Sequence, residues 1–201
     1  TLFVTGFGLT QLLVPLQLKK YSFWLTPWFG FFYLIFTLVI SSLSGLSVRQ
    51  ISPFIIFIAL MFDFIVILQK KVKIYFELRS EFILALFIGI SIIFNTSPLI
   101  RRERFLTSLS LGNNDIIAYV TSADYLINNS IIKVFNTPVP ETISNLLGGF
   151  YRFGPPIILS FFINLFQLDA YQFFYLLEVI LFALTLPLIF IFLKLIYKKT
   201  N

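Results

Sequence analysis

Apolar positions along this chain come in long runs rather than in the alternation of a half-buried strand. Five runs reach or approach the roughly 20 residues that a membrane-crossing helix needs. They cover 1–18, 23–46, 52–69, 81–99 and 171–197. The segment 98–154 has a different grain and carries "SLGNNDIIAYVTSADYLINN". Within it Ile116, Val120, Ala123, Ile127 and Ile131 recur at helical spacing, with Asn113 or Asn114 suited to an N-cap and Asp115 to the first turn. The pattern predicts an amphipathic helix lying at the membrane surface. Turn residues Pro138, Pro140, Gly148 and Gly149 follow, and then "PPIILSFFINLFQLD". Its helical part, about 12 residues or about 18 Å, is too short to cross a core of about 30 Å, so 155–168 reads as a juxtamembrane or re-entrant helix. Pro27 and Pro53 are expected near helix starts, where a missing N–H costs little, and Pro187 inside the last helix, where it should kink it.

Composition fits this pattern. Hydrophobic residues make up 58% of the 201 residues and charged residues 12%, against roughly 25% charged in soluble domains. A soluble core of this length would leave too much apolar surface uncovered, so soluble enzyme classes are set aside. The expected fold is an all-α integral membrane protein of about five transmembrane helices with a long external loop. The chain has no Cys and no His, which removes thiol nucleophiles, disulfides, zinc centres of the usual kind and imidazole acid–base chemistry. Thr1 is not an initiator Met and the chain ends just after an apolar run, so the sequence is expected to be a fragment.

The net charge is +6, but the cations flank apolar runs instead of forming an aromatic-interleaved basic face, which argues against nucleic acid. Placing Lys19, Lys20, Lys70, Lys71, Lys73, Arg79, Lys194, Lys198 and Lys199 in the cytoplasm puts nine cations on one side and leaves six on the other. The loop 98–154 is then external, and a connection that long is functional or disordered far more often than it is a simple link.

Chemistry concentrates in that loop. Asp115 and Tyr119 are four apart and share a helical face, whereas Asp124 lies two and a half turns on from Asp115. The two carboxylates are poorly placed for an acid–base pair, so a catalytic one would act alone. A lone carboxylate can serve as general base for a sugar hydroxyl, and Arg101 or Arg152 could hold a phosphate through paired N–H groups. Asn114 adds a further hydrogen-bonding group.

One spanning helix, then "NNDIIAY", then "RFGPPIILSFFINLFQLDAYQFFYLLEVILFALTLPLIFIFLKLIYKK", resembles the GT-C membrane glycosyltransferases of the dolichyl-phosphate-mannose-transferase-like type over about 81–199. The resemblance implies a GT-C-like segment at 81–201, and leaves the three-helix transmembrane module at 1–80, read from the apolar runs, as an extra module without a counterpart in the family. It also implies that Asp115 is the catalytic acidic position, Tyr119 its companion, and Pro155 and Pro156 the Pro-Pro turn. Asn114, Asp124, Arg101 and Arg152 become candidates for substrate binding. The expected activity is transfer of a sugar from a polyprenyl-phosphate donor to a glycan, lipid or protein acceptor, in a bacterial or archaeal plasma membrane. No cofactor is required by these residues, and a divalent metal is left open, since this chain has Asn114 where the family more often has a second acid.

Plainer readings stand beside these. Asp115 also suits a helix N-terminus for electrostatic reasons alone, and the Arg101 to Arg104 cluster suits headgroup anchoring. Asp63 and Glu178 are intramembrane polar residues that could line a shared cavity or face partner helices. They carry the alternative function, a transporter or flippase subunit. A non-catalytic membrane assembly protein is the third.

Overall fold

The computed structural model of the chain describes residues 1–69, 78–101, 115–149 and 151–197, and at 78–81, 98–101 and 115 the backbone alone. The regular elements among the described residues are all helical, without a strand. The elements are α1 (Leu2–Leu13), a 3₁₀ segment (Leu16–Tyr21), α2 (Ser22–Leu43), α3 (Val48–Leu68), α4 (Leu78–Arg101), α5 (Asp115–Asn128), α6 (Ile131–Asn136), α7 (Glu141–Ile143) with a π turn (Ser144–Gly149), α8 (Gly154–Phe166) and α9 (Ala170–Tyr197). Among the described residues, three helical stretches are long and apolar enough to cross a membrane: Leu16–Leu43, Val48–Leu68 and Ala170–Tyr197. Rows of large apolar side chains stay exposed along them, such as Phe32, Phe36 and Ile40 one turn apart on α2, as expected of surfaces that face lipid.

The expected first span is instead a 12-residue helix. Val14, forced toward extended backbone by Pro15, ends it. The fourth expected span is the 24-residue α4, whose described apolar run is Phe82–Ser97. Pro27 and Pro53 differ from expectation, because α2 and α3 start earlier than the apolar runs suggest. Each proline is the sixth residue of its helix, past the first turn, so the carbonyls of Phe23 and Arg49 lose their usual in-helix donor. Helix α9 continues through Pro187.

The chain divides into two compact units. The first comprises 1–32, 58–98 and 178–201. Here glycine lets helices approach closely. A Cβ on Gly6 would run into the Thr26 carbonyl and the Gly30 backbone, and one on Gly8 would lie 2.8 Å from Asp63 Oδ1. The Gly8 N–H donates to that oxygen at 2.7 Å. Tyr21, Trp24, Leu84 and Ile191 form a buried cluster, and the ammonium groups of Lys20 and Lys194 both lie over the Tyr21 ring. The Trp28 indole N–H donates to the Leu184 carbonyl, next to the Ala183 carbonyl that Pro187 leaves without its helical donor.

The second unit comprises 33–57 and 99–177. Gly45, at φ +99°, closes α2 with a left-handed cap in which Leu46 N–H reaches the Ser41 carbonyl. Ser47 then opens α3 in a reciprocal cap: the Gln50 amide oxygen accepts from Ser47 N–H at 2.9 Å, and Ser47 Oγ accepts from Gln50 N–H at 3.4 Å. The Ser42 hydroxyl accepts the Ile131 N–H at 2.7 Å, tying the start of α6 to the end of α2. The expected amphipathic helix is two helices, broken at Asn129 and Ser130, so Ile131 belongs to the next element. Its buried stripe is Val120, Ala123 and Leu126. That stripe packs against α8, where Ile157 to Ile163 are buried without interruption. The small residues Ser122 and Ser160 are fully buried and allow the close approach.

Candidate functional site

Helix α8 begins with Gly154, Pro155 and Pro156, placing both prolines in the first turn where no N–H is needed. Just before it the backbone folds tightly. Tyr151 is left-handed at φ +52°, and the Phe153 N–H donates to the Tyr151 carbonyl. The Arg152 N–H donates back to the Leu146 carbonyl at 3.2 Å. Aromatic contacts hold the turn: Tyr151 stacks on Phe135, and Phe153 meets Tyr151 edge-on. A left-handed non-glycine residue is uncommon and costs energy that its surroundings must supply. Here it turns Arg152 toward α5.

The Arg152 guanidinium donates through Nη1 to the Tyr119 hydroxyl at 3.4 Å. The Tyr119 ring stacks on Phe174 of α9, with centroids 6.2 Å apart and planes 19° apart. A cation, a phenol and an aromatic wall therefore come together from three elements, with Asp115 opening α5 one turn before Tyr119. The arrangement can hold an anionic oxygen by charge-assisted hydrogen bonding.

Asp124 belongs elsewhere. It is exposed, and its charged neighbour is Asp169. Desolvation by the surrounding protein, and then the like charge of Asp169, hold its carboxyl above the usual carboxylate range. Asp169 caps α9, its Oδ1 accepting from the N–H groups of Tyr171 at 2.9 Å and Gln172 at 3.2 Å. Asn114 lies outside the described residues, and Arg101, the last residue of α4, is placed by its backbone alone. Asp63 is half-buried in the first unit and lines a cavity there, whereas Glu178 is exposed and is not part of that lining. Among the described residues no three His, Cys, Asp or Glu side chains gather as a metal site.

Hydrophobic periodicity passes over Phe174, Gln11 and the glycines of α1. Phe174 looks like any other Phe in an apolar run. Gly6 and Gly8 carry a readable signal, two small residues in a helix otherwise rich in bulky ones. Comparison with protein-family models, with curated proteins and with solved structures gives no match.

Proposed function

We propose that the protein is a multi-pass membrane glycosyltransferase of GT-C-like type, taking a sugar from a polyprenyl-phosphate donor. The observation that carries this reading is the meeting of Arg152 and Tyr119 one helical turn from Asp115. In the reaction the acceptor hydroxyl oxygen bonds to the anomeric carbon as the bond from that carbon to the lipid-phosphate oxygen breaks. The hydroxyl proton passes to the Asp115 carboxylate, and the electron pair leaves on the phosphate, where the Arg152 guanidinium stabilises it. Tyr119 orients the guanidinium, and Phe174 fixes the Tyr119 ring.

In this reading α4 is a further crossing, since its 24 residues extend about 36 Å, and α1 is embedded beside α2 and α3. Lys20 and Lys194 sharing Tyr21 supports a common cytoplasmic end. The segment 98–154 then faces outward from a bacterial or archaeal plasma membrane. The test is sugar transfer by membranes holding the complete protein, given a panel of labelled prenyl-phosphate sugars. Wild type should transfer from at least one donor, Asp115→Asn should abolish transfer, and Arg152→Gln should lower it by about 100-fold or more. A folded wild type inert with every donor, or an Asp115→Asn variant that retains full activity, overturns the proposal.

A further inference from the structure

The first unit contains a cavity of about 340 Å³, within the lower range of small-molecule sites. Three of its walls are rings, Phe3, Phe7 and Phe23, and its polar groups include Gln11, Thr26 and Asp63. The polar groups differ in what they have left to offer. Thr26 is satisfied, its hydroxyl donating to the Ser22 carbonyl at 2.7 Å. Gln11 is only 4% exposed, and its Oε1 is buried without a hydrogen-bond partner. Asp63 accepts one backbone N–H, from Gly8, and among the described residues no cation sits beside it.

An unpaired acceptor and an unneutralised carboxylate on one apolar cavity define a demand for N–H donors and positive charge. An anion would meet the Asp63 carboxylate. A wholly apolar occupant would leave Gln11 Oε1 unpaired and the Asp63 carboxylate with no donor beyond the Gly8 N–H. A bare metal ion would find one carboxylate and one amide oxygen, too few for the six or more oxygens that hard cations take. We propose that this cavity binds an amphiphilic amine, its ammonium donating to Gln11 Oε1 and Asp63 and its apolar body packed on Phe3, Phe7 and Phe23. Phe3 and Phe23, with ring centroids 5.1 Å apart, offer a π surface that favours a cation over a neutral head of the same size. This site is independent of the Asp115 loop and of sugar transfer.

The test is titration calorimetry on the full chain in detergent micelles near neutral pH, with phenylbutylamine and its alcohol counterpart phenylbutanol as probes. The amine should bind wild type saturably, and the alcohol about tenfold or more weakly. Asp63→Asn and Gln11→Leu should each weaken the amine about tenfold while leaving the alcohol unchanged. Circular dichroism and thermal unfolding establish that each variant is folded. Should Asp63→Asn fail to fold, Gln11→Leu and the cavity-filling Val4→Phe carry the test, since Val4 also lines the cavity. Amine and alcohol binding alike, no saturable binding to folded wild type, or unchanged amine affinity in Gln11→Leu overturns the proposal.

Discussion

Asp124 shows how one side chain can work against the fold it belongs to. Its carboxyl titrates above the usual value of about 3.9, so in the window between the unfolded and folded values the native state holds a proton that the unfolded state has lost. Stability therefore falls as pH rises through that window and stays lower above it. Asp124→Asn is expected to raise the thermal midpoint at pH 7 by an amount that disappears below about pH 3.9. Solvent screening at this exposed position keeps the gain small. A lower midpoint for the variant at neutral pH would show that the carboxylate makes a stabilising contact. Gly8 and Gly89 form a second contrast. A Cβ at Gly8 would meet Asp63 Oδ1 at 2.8 Å and the Phe62 carbonyl carbon at 2.9 Å, while one at Gly89 meets no described atom within 4 Å. Gly8→Ala should destabilise by about 1–3 kcal/mol through forced displacement of backbone, and Gly89→Ala should stabilise by up to about 1 kcal/mol through helix propensity. Thermal unfolding of the two variants side by side checks the sign of each.

A few helix ends here are closed by specific side chains, and those differ in what can be read in advance. Asp169 accepts two N–H groups at the start of α9. Asp169→Ala should cost about 1 kcal/mol and also relieve the like charge on Asp124, lowering that carboxyl toward its ordinary value. NMR titration of a labelled Asp124 carboxyl in the variant, with the midpoint of unfolding, separates the two effects. The short α8 was legible, because 13 residues with two leading prolines cannot span the bilayer, whereas the Asp169 cap at the start of α9 was passed over. The start of α3 was not legible either, because an apolar-run criterion stops at the polar pair Arg49 and Gln50, which nonetheless belong to the helix. The break at Asn129 and Ser130 was hidden for a related reason. Ile127 and Ile131 keep helical spacing across it, and the element that ends α5 is the distant Ser42 hydroxyl taking the Ile131 N–H. Of the candidate site, Tyr119 was readable by its spacing from Asp115. Its partnership with Arg152 depends on a left-handed Tyr151 that no local pattern announces.

At the scale of the molecule, the proposed topology makes a testable statement about the side of the bilayer on which each polar segment lies. Helix α3 carries the chain from the capped turn at Gly45 to Gln69, 21 helical residues or about 32 Å, enough to cross the hydrocarbon core. The Ser42 bond to Ile131 fixes the start of α6 beside that same turn, and in the proposed reading this puts α6 at the membrane face where α2 ends. Helix α9 then returns the chain toward Lys194, whose ammonium meets the Tyr21 ring at the start of α2. The proposed topology puts Lys20 and Lys194, which share the Tyr21 ring, at one face. The chain has no Cys, so single cysteines report without background. Ser44→Cys and Asn136→Cys should react with an impermeant maleimide added from one side of sealed membranes, and Gln69→Cys only when the reagent is added from the other. Labelling of Gln69→Cys from the Ser44 side would mean that α3 lies along the membrane or folds back within it. The outward placement of the Arg152 and Tyr119 cluster would then lose its support.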